Sequence, residues 1–286
     1  MKRALLTLLA IAALLGVGGF AFVFFQKEPV EAPAPAEPVP ATETLGQSVQ
    51  GRAIVAYTYG SGPQHLLFVG GMHGGYEWNS VLLAYQMMDY LKANPSVIPA
   101  NLSVTVIPSL NPDGVYKVVS KEGRFAAGDV TTNAVTLASA RFNANNIDLN
   151  RNFDCKWKPN STWRSEIVSA GSSAFSEPEA RALRTFVTKY LPDAVVFWHS
   201  QANAVYASEC EAGILPNTRA VMNAYSAASG YRAVDSFDAY EITGDAEGWL
   251  ASVGIPAITV ELATHEDVEW EHNLAGVKAL FELYER

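Results

Sequence analysis

Two histidines and a glutamate in this sequence could together hold a divalent metal ion. His73 and Glu77 lie close together in His-Gly-Gly-Tyr-Glu, and His199 follows an apolar run much later in the chain. A neutral imidazole and a nearby carboxylate can bind one zinc ion with a second imidazole, which leaves a fourth position for water. Zinc lowers the pKa of such a water to about 7 and polarises carbonyl oxygens. The pattern therefore predicts a metal site with one position open for water.

The neighbourhood of His73 also fits other interpretations. The histidine could lie at a strand end with its ring hydrogen-bonded to nearby residues, and the two glycines could form a tight turn. A phosphate-binding loop is excluded, because no Gly-Lys-Ser/Thr follows and the glycine spacing does not match a dinucleotide fingerprint. The remaining histidines lie in polar loops or near the terminus, where surface positions are expected: His65, His265 and His272.

A polar stretch at residues 145–154 could bind a carboxylate. It contains Asn150 and Arg151 beside apolar residues. Arginine carries a planar fork of donors that grips a carboxylate with two hydrogen bonds, and a neighbouring amide can add another. The alternative is a solvated loop whose asparagines bond to their own backbone. A third chemical group is Glu261, since an ionisable side chain in an apolar strand is costly without a partner. The alternative is a glutamate at the strand end that is rotated into solvent.

The elements that position these residues follow from hydrophobic spacing. Short apolar runs alternate with helical periods from about residue 49 onward. We predict strands at 53–59, 66–70, 102–110, 193–198 and 257–262, and helices at 78–88, 178–190, 217–228 and 274–284. This order predicts an α/β fold, a mixed but largely parallel twisted sheet with helices on both faces.

Ligands of such folds bind beyond the carboxyl ends of the strands. His73, His199 and Glu261 each fall at or just past a predicted strand end. Two local signals mark other boundaries: Asn111–Gly114 predicts a turn, and Ser176–Glu179 predicts a capping box with Ser176 as the cap.

The N-terminal part of the chain has a different composition. Lys2 and Arg3 precede an apolar run at residues 4–25 that is long enough to cross a bilayer. We predict a membrane anchor at 1–26, a proline-rich linker at 27–44 and a catalytic domain at 45–286, with the domain outside the cytoplasm. Ala32-Pro33-Ala34 leaves cleavage and secretion as the alternative.

Net charge bears on the class of binding partner, and the two cysteines bear on whether a disulfide forms. The net charge is −9 and no Lys/Arg cluster follows the first three residues, which disfavours nucleic acid as a partner. Cys155 and Cys210 either pair in a disulfide or lie buried as free thiols, and the sequence leaves both possibilities open.

Taken in order, these motifs resemble the zinc metallocarboxypeptidase superfamily, the carboxypeptidase A-like enzymes. The resemblance covers residues from about 45 to the end. It consists of His73 and Glu77, the Asn111–Gly114 turn, Asp148-Leu149-Asn150-Arg151-Asn152, the Ser176–Glu179 motif, His199-Ser200, Tyr240 and Glu261. The set is specific in combination, whereas each piece alone is weak.

The resemblance implies a role for each matched position. One Zn²⁺ ion would be held by His73, Glu77 and His199. Asn150 and Arg151 would bind the terminal carboxylate of a peptide, Tyr240 would close over it, and Glu261 would be the general base. Arg141 is the candidate that stabilises the oxyanion, with Arg124 as the alternative. Asp245 and Glu247 fall in the region of the specificity pocket and favour an amine-bearing side chain: lysine, arginine or the diaminopimelate of bacterial wall peptides. The alternative is that they are solvated acids at the start of a helix, where acidic residues are favoured.

One departure concerns the metal motif, which has three residues between His73 and Glu77 where the family has two. Glycine at 74 and 75 could adapt the loop. The expected function is a zinc carboxypeptidase that acts on peptides or peptidoglycan stem peptides. The alternatives are a zinc deacylase of N-acyl amino acids and a non-catalytic relative that binds peptide ends.

Overall fold

The computed structural model describes residues 40–285. The predicted anchor and most of the predicted linker lie outside these residues. Within residues 40–285, no helix combines the length and apolar character that a membrane span requires. The first strand begins at Ala41, so the last four residues of the predicted linker belong to the sheet.

The described chain contains twelve strands and seven α-helices. The strands are β1 Ala41–Gln47, β2 Ala53–Gly60, β3 Gln64–Val69, β4 Leu102–Ile107, β5 Asn160–Trp163, β6 Glu166–Ser169, β7 Ala194–Ser200, β8 Ala204–Ala207, β9 Glu209–Cys210, β10 Gly213–Ile214, β11 Arg232–Val234 and β12 Ala257–Leu262. The helices are α1 Trp78–Ala93, α2 Pro112–Val119, α3 Ala134–Ser139, α4 Pro178–Tyr190, α5 Pro216–Ser229, α6 Ala246–Ser252 and α7 Trp270–Glu285.

Eight strands form one sheet in the order β1-β2-β4-β3-β7-β12-β8-β11. The four central strands β4, β3, β7 and β12 are parallel to their neighbours within that group. Strands β1, β2 and β4 pair antiparallel, as do β12 and β8, whereas β11 is parallel to β8. The predicted α/β class and the mixed sheet are therefore confirmed.

Helices cover both faces of the sheet, because successive side chains of its central strands point to opposite faces and are buried on both. On β3, Leu66 and Phe68 pack in one core with apolar residues of α1, α5 and α7. Leu67 and Val69 point the other way and pack with α4 and α6. A strand buried on both faces reads as a continuous apolar run, which is the pattern seen here.

Two predictions at helix starts need correction. Asn111–Gly114 do not form a separate turn, because helix α2 begins at Pro112 and the Asn111 side chain caps it by accepting from the Gly114 backbone N–H at 2.9 Å. Ser176 does not cap α4. The cap residue is Glu177, which makes no side-chain cap, and the Ser176 hydroxyl instead accepts from Asn152 Nδ2 at 2.9 Å.

The surface position predicted for His65 was wrong. His65 lies within β3 and is buried, and its Nε2 is 2.7 Å from Thr105 Oγ1 on the neighbouring strand. The flanking polar residues suggested a loop, but the imidazole ring is buried in the sheet, where it forms a hydrogen bond with a hydroxyl on the neighbouring strand.

Candidate active site

Every residue predicted for the site lines a single cavity of about 370 Å³. These residues are His73, Glu77, Arg141, Asn150, Arg151, His199, Tyr240, Asp245, Glu247 and Glu261. The cavity lies along the carboxyl ends of β3, β7 and β12, where the parallel strands of an α/β sheet place their ligands.

His73, Glu77 and His199 converge although His199 is far from the other two in sequence. One candidate ligand atom from each residue lies within 4.8 Å of those of the other two. His199 Nδ1 is 3.0 Å from Glu77 Oε2, and the two imidazole centroids are 4.9 Å apart. The three residues are 4%, 3% and 2% exposed, so their polar atoms are withdrawn from bulk water. Two imidazoles and a carboxylate at this spacing match the donor set of a catalytic zinc site.

The two glycines after His73 allow the longer loop to reach the cluster. Residues Gly74–Glu77 form one 3-10 turn that leads directly into α1. Gly74 has a positive φ of 50°, which side-chain-bearing residues seldom adopt. A Cβ on Gly75 would lie 2.6 Å from the Gly114 carbonyl oxygen and 2.4 Å from a Val118 methyl. The turn is thus packed against α2, and the extra residue is absorbed while Glu77 stays beside His199.

Glu261 is placed by strand register. Strands β7 and β12 are parallel, and Glu261 is directly opposite His199. Residues at paired positions project to the same face of a sheet, so the carboxylate enters the cavity beside the histidine. Glu261 Oε2 is buried without a hydrogen-bond partner. Burial, followed by the Glu77 charge, raises the pKa of Glu261 to about 8, and a cation nearby would favour its ionised form.

Arg141 is the arginine that reaches the site. Its Nε and Nη2 donate to Asp148 Oδ2 at 3.0 and 2.9 Å, and its Nη1 is 3.6 Å from Glu77 Oε1. Its guanidinium also lies 4.6 Å from the centre of the Trp163 ring. The alternative, Arg124, is exposed and pairs with Asp89 outside the cavity.

Asn150 and Arg151 are buried in a 3-10 turn, not in a solvated loop. Arg151 donates through Nε and Nη2 to the Thr162 carbonyl at 3.3 and 3.0 Å, and through Nη1 to the Asn150 carbonyl at 2.6 Å. A guanidinium has five N–H donors, so two remain for a ligand in the cavity. Asn150 Oδ1 accepts from the Ala246 backbone N–H at 2.9 Å and ties the turn to α6. Asn152, by contrast, has a structural role. Its amide nitrogen lies within hydrogen-bond distance of three acceptors in the segment before α4 and shares its two hydrogens among them.

Tyr240, Asp245 and Glu247 have different surroundings. Tyr240 is partly exposed in the segment before α6 and packs edge-on against Phe237, with centroids 4.8 Å apart. Asp245 caps α6 by accepting from the Gly248 backbone N–H at 2.7 Å. Burial, and then the Glu247 charge, raises the pKa of Asp245 to about 6. Glu247 is fully buried and lies beside His199.

Several residues around the cavity were not predicted as site residues. Tyr76 and Trp163 form part of its wall with ring centroids 5.3 Å apart, and Asp148 Oδ1 lies 3.5 Å from His73 Nδ1. Asp148 could have been found from its place in the Asp-x-Asn-Arg-Asn motif. Trp163 carries no such signal, because it lies in the β5–β6 hairpin and only the folded chain brings it to the site.

A disulfide joins two segments of the cavity wall. Cys155 and Cys210 are bonded, with their Cα atoms 6.1 Å apart, and no free cysteine lies within residues 40–285. The bond ties the segment after Arg151 to strand β9, next to α6. The question that the sequence left open is settled in favour of the disulfide.

The charges around the cluster suit a cation. Burial, and next the charge of Arg141, lowers the pKa of His73 well below its usual value, which keeps a lone pair available for a metal. Burial also acts to lower the pKa of His199, but the carboxylates of Glu77 and Glu247 raise it well above its usual value. Nitrogens of both rings, His73 Nδ1 and His199 Nε2, are buried without a well-aligned hydrogen bond. These two nitrogens lie 3.4 Å from Glu247 Oε1 and 3.5 Å from Asp148 Oδ1, respectively for His199 and His73, which leaves the other nitrogen of each ring for a zinc ion.

The chain belongs to the zinc carboxypeptidase family, whose sequence pattern it matches over residues 39–274. Human carboxypeptidase Z is 34% identical over 125 residues, which are 39% of this chain and 18% of that protein. The gamma-D-glutamyl-L-diamino acid endopeptidase 1 of Lysinibacillus sphaericus is 23% identical over 242 residues, 77% of this chain and 60% of the relative. The chain thus spans less than two thirds of either protein.

Solved structures of other proteins share the fold. The murein-tripeptide amidase MpaA from Escherichia coli O157 superposes with a TM-score of 0.61 at 23% identity, over 86% of this chain and 93% of that one. Bovine thrombin-activatable fibrinolysis inhibitor superposes with a TM-score of 0.65 at 17% identity, over 86% and 88%. At these identities the likeness establishes the architecture.

Proposed function

We propose that this protein is a zinc-dependent carboxypeptidase that hydrolyses the peptide bond before a C-terminal residue with a free carboxylate. The observation that carries the proposal is the convergence of His73, Glu77 and His199 within 4.8 Å, in one cavity with Glu261 and Arg141. Ligands, base and a cation for the oxyanion are the groups that such a reaction needs.

A zinc ion held by His73, Glu77 and His199 supplies a Lewis acid for the scissile carbonyl and promotes deprotonation of water. The Glu261 carboxylate accepts the proton of the attacking water and then returns it to the leaving amine. Arg141 faces the same space with its guanidinium fixed by Asp148, so it can stabilise negative charge on the carbonyl oxygen without reorganising.

The other end of the cavity selects the substrate. Arg151 provides two free donors for the terminal carboxylate, and Tyr240 lies in a partly exposed segment that can cover a bound residue. The Asp245 carboxylate favours a side chain that ends in an amine. We therefore infer a preference for lysine, arginine or a diamino acid. Two relatives act, by their names, on a gamma-D-glutamyl-L-diamino acid bond and on a murein tripeptide, which makes peptidoglycan stem peptides the favoured substrates.

Two features outside the cavity support the site of action that we propose. The apolar run at residues 4–25 can anchor the chain in a membrane, with its basic flank in the cytoplasm. The Cys155–Cys210 disulfide suits an oxidising compartment. We place the catalytic domain outside the cytoplasm, tethered to the membrane, with secretion after cleavage as the alternative. Wall peptides are accessible to a domain in that position.

Two other functions use the same cluster. A deacylase of N-acyl amino acids would need the metal and Glu261 but no pocket for a peptide. A non-catalytic relative would retain Arg151 but lack a ligand or the base, and this chain has all of them.

One assay separates these functions. The full-length protein is incubated with an α-linked peptide ending in lysine, a stem peptide with a γ-D-glutamyl-diaminopimelate bond, and an N-acyl lysine, each with and without chelator. We expect chelator-sensitive cleavage of one or both peptides that is restored by zinc. Cleavage of the N-acyl amino acid alone would favour the deacylase, and binding without cleavage would favour the non-catalytic relative.

A further inference from the structure

The two acids predicted for the specificity pocket have different neighbours. Asp245 caps the N-terminal end of α6 and is partly exposed to the cavity. Glu247 is only 3% exposed, and its Oε1 accepts from Thr259 Oγ1 at 3.1 Å and lies 3.4 Å from His199 Nε2. Glu247 therefore contacts a candidate metal ligand from the side of the protein core.

The two nitrogens of His199 face two different carboxylates. Nδ1 is 3.0 Å from Glu77 Oε2, on the side of the ligand cluster. Nε2 is buried, makes no well-aligned hydrogen bond, and has Glu247 Oε1 within ion-pair distance. When one nitrogen of an imidazole binds a metal, the other carries the proton and needs an acceptor. Glu247 is placed to be that acceptor.

His73 has a comparable arrangement. Its Nδ1 lies 3.5 Å from Asp148 Oδ1, and Asp148 is fully buried and held by Arg141. Both candidate imidazole ligands thus have a buried carboxylate behind them, one from the Asn-Arg-Asn segment and one from helix α6. A carboxylate in this position fixes the tautomer and the orientation of a ligating ring.

We propose that Glu247 is a positioning residue for His199 and not a determinant of the substrate side chain. Its carboxylate accepts the Nε2 proton, holds the ring with Nδ1 toward Glu77, and is itself oriented by Thr259. Asp245 then remains as the acid that selects the substrate side chain. This inference rests on the zinc site of the proposed function, but not on the identity of the substrate.

The test measures zinc affinity by competition with a chromophoric chelator, using the full-length protein. We expect Glu247→Ala to weaken zinc binding by about 10- to 100-fold, the usual effect of removing such a partner. Glu247→Gln retains an oxygen acceptor and should restore part of the affinity. The matched control Asp245→Asn, two residues away on the same helix turn, should leave zinc affinity unchanged.

A second readout excludes a merely structural role. The melting temperature of the metal-free proteins is measured in parallel, and Thr259→Val tests the support of Glu247 if the alanine variant does not fold. We expect Thr259→Val to weaken zinc binding in the same direction by a smaller factor. Unchanged zinc affinity in the glutamate variants, or a loss of metal-free stability alone, would overturn the proposal. A wild-type protein that binds zinc but cleaves no peptide would contradict the proposed function, whereas the comparison of zinc affinities among the variants would remain valid.

Discussion

Two ends of the cavity, the proposed metal end and the proposed substrate end, are built from different kinds of structure. His199 and Glu261 lie on adjacent central strands in direct register, and His73 follows the neighbouring strand β3. Tyr240 lies in the irregular segment between β11 and α6, and Asp245 is the residue immediately before α6. His199 and Glu261 are thus held by the hydrogen-bond ladder of the sheet, whereas Tyr240 and Asp245, which we propose contact the substrate, lie on a loop and at a helix end.

Burial distinguishes the candidate ligands from two residues of the substrate end. The three candidate ligands are almost completely inaccessible, whereas Tyr240 and Asp245 remain partly exposed; Arg151, at the same end, is buried. A ladder of paired strands permits sub-ångström alignment, which metal chemistry requires. Loops can change in length and sequence without disturbing the sheet. Variants at the metal end should therefore affect all substrates alike, and variants at the substrate end should affect only those with the matching group.

The largest effect is expected for His199→Ala. Removing one of three ligands should abolish stable zinc binding, and hydrolysis of every substrate should fall to background. Elemental analysis of the purified full-length protein measures the metal, and peptide release measures activity. Retention of one equivalent of zinc with full activity would show that His199 is not a ligand.

Glu261→Gln should separate chemistry from metal binding. The amide cannot accept the proton of water, so kcat should fall by about 10²- to 10⁴-fold for all substrates, while zinc content remains unchanged. Steady-state kinetics and elemental analysis on the same sample check both parts. A variant with unaltered kcat would remove Glu261 from the mechanism.

Arg151→Ala should be selective. We take the whole clamp to contribute about 1.5–3 kcal/mol, the range for a hydrogen bond to a charged group, so kcat/KM for a free carboxylate should fall by about 10- to 100-fold. The same peptide with an amidated C-terminus is the matched control, since the variant should lose little further activity on it. Because Arg151 also binds the Thr162 carbonyl, thermal unfolding is measured alongside. Equal cleavage of free and amidated peptides by the parent enzyme would rule out the carboxylate clamp.

The smallest effect concerns Asp245 and pH. Its pKa is raised to about 6, so the carboxyl is neutral below pH 6 and charged above it. The ratio of kcat/KM for C-terminal lysine over norleucine should therefore increase as pH rises through about 6, up to about 10-fold, since a charged partner contributes on the order of 1.5 kcal/mol. Ionisations at the metal end cancel in this ratio. Asp245→Asn should give a flat ratio, and a pH-dependent ratio in that variant would exclude Asp245 as the amine partner.

Much of the metal end could be predicted from the sequence. The apolar runs before His73 and His199 and around Glu261 indicated buried strands, and the polarity of their ends indicated a site. The predicted bounds of β12 are those observed, because a short run of β-branched residues in a covered sheet has few alternatives. The capping box at Ser176 failed for a tertiary reason, since Asn152 reaches that hydroxyl from a distant segment.

The substrate end was less predictable. Asp245 and Glu247 are two residues apart in one acidic stretch, and nothing in their spacing distinguishes them. In the folded chain one caps a helix beside the cavity and the other lies 3.4 Å from His199. Trp163 reached the cavity wall only through the β5–β6 hairpin, and Arg141 was separated from Arg124 only by its contacts with Asp148 and Glu77.

The sequence by itself determined which chemical groups are present, indicated the central strands and the longer helices, and suggested the kind of reaction that we propose, since residue types and hydrophobic period are local properties. Only the tertiary structure decided which side chains meet: the register that sets Glu261 beside His199, the pairing of Cys155 with Cys210, and the separate surroundings of Asp245 and Glu247. The physical reason is that these contacts join segments distant in the chain. They form only where strand pairing and core packing have already fixed both partners in space.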